Sequence, residues 1–256
     1  MLIKTKTMRS LVAAGLMWAS AVWAADENPV DLVDPAALKA LDAMGAHLRG
    51  LTSFSVQAND TLDEVLETGQ KIQFSAAVKL DVRKPDGLRA EIETDRRSRR
   101  IFYDGKNFTL YAPQDQFFVT VPAAPTLREM LNAVETKYGI AFPLVDLFHW
   151  GEDASLASNI KEAMLVGPSR INGQMTDHYA FRQEGLDWQI WIAQGEAPLP
   201  LRYVITTLDE PGEPQYSANL TWDTAAKFDA KSFTFVPGQD DHPIPIVAID
   251  VVAPGQ

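Results

Sequence analysis

Four histidines, His47, His149, His178 and His242, are the only imidazoles in the chain, and no two of them stand at a metal-ligand spacing. Zinc sites draw on H-E-x-x-H or H-x3-H pairs, or on paired cysteines, and this chain has no cysteine at all. The same absence excludes thiolate nucleophiles and disulfides. A serine nucleophile would need an elbow such as G-x-S-x-G, and the nearest sequence, "GPSR" at 167–170, has neither the spacing nor the context. The carboxylates of "GEDAS" and "LDEPGEPQ" fall in loop-like stretches, where a solvated acidic turn is commoner than a calcium site. No phosphate-cradling or dinucleotide-binding glycine pattern occurs. Tyr103, His178 and Asp187 are the only polar groups that could be nominated for chemistry in a shared cavity. The sequence therefore reads as a non-enzymatic protein with no catalytic residue, no metal and no cofactor.

One basic run stands out. "DRRSRR", residues 95–100, places Arg96, Arg97, Arg99 and Arg100 together in an otherwise acidic chain of net charge −11. It reads either as a solvated hairpin tip or as a surface contact for anionic headgroups or an acidic partner. The first 24 residues have the make-up of an export signal: Lys4, Lys6 and Arg9, then the apolar run "LVAAGLMWA", then "VWA" before Ala25. That run is about half of the ~20 residues a spanning helix needs. Cleavage after Ala24 removes three cations and no acids, which takes the charge to −14. A surface so acidic argues against nucleic acid. The expectation is a periplasmic monomer, exported and not membrane-spanning, with residues 25–256 forming one domain.

The elements follow from hydrophobic periodicity. Asp34 and Pro35 open a helix whose apolar residues Leu38, Leu41, Met44 and Leu48 recur every three or four positions as far as Gly50. Ile72, Phe74, Ala76, Val78, Leu80 and Val82 then alternate strictly, the signature of a half-buried strand. "KPDG" closes it, with Gly87 expected to supply a positive φ at the bend. Shorter strands follow, separated by Asp104-Gly105 and by "APQD", and should pair in order as an antiparallel meander. Thr126 and Glu129 form a capping box for a second helix that Gly139 ends. An apolar, Pro-broken stretch comes next, and strands resume from "MLVGPSRI" through an Asn172-Gly173 turn to "DWQIWIA", "LRYVITTLD", "QYSANLTWD" and "SFTFVP". Strands, helices and strands again, without a βαβ rhythm, indicate an α+β fold with an antiparallel sheet.

"LRGLTSFSVQ", "VRKPDGLRAEI", "YDGKNFTLYAPQDQ" and "FDAKSFTFVPG" resemble the corresponding segments of the periplasmic lipoprotein carrier family LolA. Over nearly the whole mature chain the arrangement is more similar still to a family of predicted periplasmic proteins in the same LolA/LolB-like superfamily. The block "YDGKNFTLYAPQDQFFVTVPAAPTLREML" carries that likeness best. The resemblance implies a strongly curved antiparallel half-barrel whose concave face is covered by helices and whose cavity takes acyl chains. The chain departs from the carrier pattern in two places. Lys84 stands where the carrier has the arginine that holds its lid, with Arg83 one position earlier, and Phe108 and Leu110 replace an aromatic of one strand. Lysine lacks arginine's planar fork of donors.

A large sheet with few helices over one face encloses more apolar surface than those helices fill. The inward residues expected to line the resulting cavity are Phe74, Val78, Leu80, Ile92, Phe108 and Leu110 in the first set of strands. Trp188, Ile190, Ile192, Tyr203 and Trp222 join them from the second set, with Trp191 on the opposite face. Leu127, Met130 and Leu131 belong to the covering helix, the first part of a lid and plug spanning about 126–163. The expected partner is a hydrophobic small molecule, a lipid or an acylated protein. The alternative is a regulatory or scaffold domain that binds an envelope protein and uses its cavity only as core.

Overall fold

The alternating run from Ile72 to Val82 lies on one strand, β2 (Lys71–Arg83), and the three inward residues nearest its end, Val78, Leu80 and Val82, are buried. The computed structural model describes residues 32–140, 142, 144, 145, 147, 150 and 157–248. The export signal of residues 1–24 and His149 lie outside the described residues.

β2 belongs to a meander in which every strand pairs antiparallel with its predecessor: β1 (Ser53–Val65), β2, β3 (Gly87–Thr94), β4 (Ser98–Tyr103), β5 (Asn107–Ala112) and β6 (Phe117–Pro122). A second meander contains β7 (Glu162–Ile171), β8 (Gln174–Gln183), β9 (Leu186–Ala193), β10 (Pro200–Thr207) and β11 (Gln215–Asp223). The first strand and the last of these, β1 and β11, pair along Ser55↔Asp223 to Leu62↔Tyr216, fusing the two meanders into one sheet. A short β12 (His242–Pro243) adds parallel to β6, so the sheet has twelve strands with β12 and β7 at its edges. It is a strongly curved, open half-barrel.

Turn chemistry fixes the registers. Asn172 and Gly173 both take positive φ, 47° and 82°, as a two-residue hairpin between β7 and β8 requires. Asp104 accepts from the backbone N–H groups of Lys106 and Asn107 between β4 and β5. Pro200 begins β10 and coincides with a register shift, where its missing N–H costs the ladder least.

Two helices cover the concave face. In α1 (Pro35–Gly50), Asp34 accepts from the Ala36 N–H, and Ala37, Met44 and Leu48 are buried. In α2 (Leu127–Tyr138), the Thr126 hydroxyl oxygen accepts from the Glu129 N–H and donates to its carboxylate, Gly139 closes the helix at φ 64°, and Leu127, Met130, Leu131 and Val134 are buried. Each fully buried Leu or Met contributes about 1.5–3 kcal/mol. Of the stretch between α2 and β7, Phe142, Leu144 and Leu147 are described and buried in the same core.

The Lys84–Asp86 hairpin anchors both helices at one end of the barrel. Lys84 Nζ donates to the carbonyls of Leu48 (3.0 Å) and Arg49 (3.4 Å), placing a cation at the C-terminus of α1, where the helix dipole is negative. The Leu127 N–H, at the start of α2, donates to the Pro85 carbonyl at 2.7 Å. Lysine therefore makes a point-charge tie to α1 here, while Arg83 pairs with Asp86 and lies over the Phe233 ring.

Two sequence expectations are corrected at this end. Gly87 does not adopt a positive φ. It is glycine because the buried Phe233 ring sits against it: a Cβ at Gly87 would lie 2.7 Å from Phe233 Cδ2 and Cε2. "SFTFVP" is also not a strand. Ala230–Phe233 forms a 3-10 turn capped by Asp229, which buries the Phe233 ring on the convex face against Gly87 and Arg83, and the twelfth strand comes later, at His242–Pro243. Beyond the turn, Phe235 packs on the convex face against Phe102, Tyr111 and Phe118 at centroid distances of 5.4, 5.1 and 5.0 Å.

Gly87→Ala should therefore lower the unfolding free energy by roughly 1–3 kcal/mol, the range for overpacking a filled site. Urea denaturation measures it, and Phe233→Leu in the same chain should recover part of the loss by making room.

Candidate functional site

Strand alternation places Phe54, Val56, Ala58, Asp60 and Leu62 on the covered face of β1. Asp60 breaks the apolar series. Its cross-strand neighbours on both sides are alanines, Ala76 on β2 and Ala218 on β11, so little side-chain volume stands around it. The space left is a cavity of about 310 Å³ whose walls include Asp60, Ala76, Val78 and Ile92, closed at the β3–β4 turn by Asp95 and Arg96. It adjoins a cleft of about 740 Å³ bounded by the β1–β2 turn and the β10–β11 loop. Leu62, Phe74 and Tyr216 belong to the walls of both. Because β1 and β2 are antiparallel, this opening lies at the end of the half-barrel opposite the Lys84 hairpin.

Helix coverage explains the location. α1 and α2 are tied to the far end, and the inward residues there pack into a filled core. At the open end Leu62 and Ile72 are about half and a third exposed.

Among the fourteen inward residues read from sequence, Phe74, Val78 and Ile92 line the void. Leu80, Phe108, Leu127, Met130, Leu131, Trp188, Ile190, Ile192 and Tyr203 are buried in the packed core. Leu110 and Trp222 pack partly against it, and the Trp222 indole N–H donates to the Pro200 carbonyl at 2.8 Å. Trp191 takes the opposite face, stacked on His178 (4.0 Å between centroids) under the Arg202 guanidinium. The basic run divides. Arg96 lies over the Phe74 ring at 4.3 Å in the cavity wall, Arg97 is exposed in the turn, and strand alternation sends Arg99 and Arg100 to opposite faces.

Tyr103, His178 and Asp187 do not meet. The Tyr103 hydroxyl donates to the Ala124 carbonyl, and burial, then the nearby carboxylates, push it up to about 12. Burial lowers the His178 pKa, and Asp187 is paired to Arg182 at 2.7 Å on the outer face. Among the described residues no three His, Cys, Asp or Glu gather as a metal site, and no helix is long and apolar enough to cross a membrane.

Asp60 and Tyr216 are the polar pair that sequence reasoning missed. The Tyr216 hydroxyl donates to Asp60 Oδ2 at 2.7 Å. The other oxygen, Oδ1, is buried and has no hydrogen-bond partner among the described residues. Burial raises the Asp60 carboxyl from 3.8 to about 6, against the opposing pull of the Tyr216 hydrogen bond. Burial also raises the Tyr216 hydroxyl, reinforced by Tyr203 and Asp60. A carboxylate at a strictly inward position of an alternating strand was the available signal.

The pH consequence has a definite sign. The folded state holds the Asp60 proton more tightly than the unfolded chain, so this group's stabilising contribution is full below pH 3.8 and is lost as pH rises through about 6. Relative to wild type, Asp60→Asn should gain on the order of 2 kcal/mol of unfolding free energy above pH 6 and nothing near pH 4. A difference that does not change with pH, measured by urea unfolding, contradicts this.

No curated protein matches the sequence. Among solved structures, the chain is similar to the Mycobacterium tuberculosis lipoprotein LppX, with 17% identity and a TM-score of 0.49 over 77% of this chain and 100% of that one. It is similar to LprF from Mycobacterium bovis at 14% identity and a TM-score of 0.45, covering 74% and 93%. For the Pseudomonas aeruginosa MucA/MucB complex the values are 16% and 0.41, covering 82% and 64%. The model of the DUF2092 family, described as predicted periplasmic protein, matches residues 37–247. The chain belongs to the DUF2092 family of predicted periplasmic proteins.

Proposed function

We propose that this protein is a periplasmic binding protein or carrier that holds the apolar chain of a lipid, or of a lipid-modified protein, in the open end of its half-barrel. The observation that carries this reading is the pair of adjoining hollows, about 740 and 310 Å³, with Leu62, Phe74 and Ile205 in apolar walls. Such volumes are typical of small-molecule sites. Burying an alkyl chain there contributes roughly 25 cal/mol per Å² of apolar area. Access through the open end leaves α2 in place. A longer chain would need the plug residues Phe142, Leu144 and Leu147 to move, which gives the 126–163 segment its role as lid and plug. Export with cleavage after Ala24 delivers the chain to the periplasm as a monomer, with no cofactor and no catalytic step.

A second reading has its own observation. Edge strand β7 is bridged at Ala163 by the Leu32–Asp34 segment, and beyond that bridge it exposes Met164, Leu165 and Val166, each about half accessible. Edges of this kind accept an added strand from a partner. An envelope-protein scaffold would use that edge and leave the cavity idle.

Ala76→Trp separates the two, because it fills the smaller cavity and does not touch β7. In native mass spectrometry of protein purified without detergent, the wild type should carry lipid-sized adducts or take up fatty acyl chains, and Ala76→Trp should lose at least roughly tenfold in uptake. A clean apo mass with no uptake by the wild type would sink the carrier reading. A stoichiometric envelope partner retained by Ala76→Trp would favour the scaffold.

A further inference from the structure

We infer that the cleft selects amphiphiles whose apolar chain ends in a protonated amine, with the ammonium group donating to Asp60 Oδ1. The inference rests on the reading of the open end as a ligand site and adds the chemistry of the head group.

Two independent observations lead to it. The first is Asp60 itself. Only 6% exposed and facing the 310 Å³ cavity, it has one oxygen satisfied by Tyr216 and the other with no partner among the described residues. A buried carboxylate is costly until a donor or a cation meets it, and a cation recovers more of that cost than a neutral donor. The folded chain supplies none: among the described residues no cation stands within ion-pair distance of Asp60, and Arg96 is held over Phe74 in the same wall.

The second is the rim. Asp63, Glu64, Glu67 and Glu210 line the larger cleft; Lys71 stands 3.9 Å from Asp63 just outside the walls, and the three glutamates make no salt bridge among the described residues. Carboxylates around an apolar, low-dielectric opening focus a negative potential that draws cations and repels anions. An anionic lipid head or a free fatty acid would pass that rim against repulsion and then meet a second carboxylate. An alkylammonium would be attracted at both points.

The charged and titratable groups around Asp60 are few. Tyr216 faces it from β11 and Tyr203 lies behind Tyr216 on β10, with ring centroids 5.7 Å apart. Asp95 and Arg96 face it from the β3–β4 turn, and β2 presents Phe74, Ala76 and Val78. With the Tyr216 hydroxyl held neutral by its surroundings, the proton that changes the site near neutral pH is the one on Asp60. Protonation removes the charge and gives the carboxyl a donor of its own, so the preference for an ammonium head falls as pH drops through about 6.

Isothermal titration of the full mature chain with dodecylamine, dodecanol and laurate, each below its micellar concentration, tests this. At pH 7.5 dodecylamine should bind at least roughly tenfold tighter than the other two, and at pH 5 and in Asp60→Asn most of that advantage should be lost, leaving only the smaller preference that the rim acids supply. Asp60→Asn keeps every rim acid and is expected to fold at least as stably, so an amine preference undiminished in it would overturn the inference and point to general attraction by an acidic surface. Equal affinities for all three ligands in the wild type would also overturn it, while leaving the binding-protein reading intact. Binding of none of the three would remove both.

Discussion

Everything in this structure follows from having to cover one apolar face of a large open sheet. Twelve strands alternate so that nearly every second residue faces inward, and the curvature collects those residues on a concave surface. Two helices and the described residues of the α2–β7 stretch bury that surface at one end, where the Lys84–Asp86 hairpin ties down the end of α1 and the start of α2. Coverage thins toward the other end. The open cleft is the part of a one-sided sheet that its own helices do not reach.

The same constraint explains how much could be read from sequence. Alternation over Ile72–Val82 and over Trp188–Ile192, the Asn172-Gly173 turn and the Thr126–Glu129 box are local signals, and each produced the expected element because tertiary packing agreed with it. Gly87 and "SFTFVP" went differently for one shared reason. The run Phe233–Phe235 looks like a strand, but both rings are needed on the convex face of the sheet, Phe233 against Gly87 and Arg83 and Phe235 against Tyr111 and Phe118, and a 3-10 turn rather than a ladder puts them there. That demand comes from residues more than a hundred positions away, and no local pattern contains it.

The candidate site was legible in part. Phe74, Val78 and Ile92 were assigned inward by period and do line the hollow. Period cannot tell a lining residue from a packed one, because that depends on which inward positions the helices reach; Leu80 and Trp188 share the inward face with Phe74 but are packed into the filled core. Asp60 was overlooked because one of three acids within "QANDTLDE" reads as part of a solvated strand end. Its position over the paired alanines Ala76 and Ala218 requires the β1–β11 pairing, which joins the two ends of the sequence.

The central claim is that the hollow between β1–β2 and β10–β11 is occupied by an apolar chain when the protein is at work. The most direct measurement is a crystal structure of protein purified from the periplasm without detergent. The account predicts continuous elongated density running past Leu62, Phe74 and Tyr216 with its polar end at Asp60. An open end collapsed onto its own side chains, or holding only water beside a carboxylate satisfied by a protein cation, would contradict it.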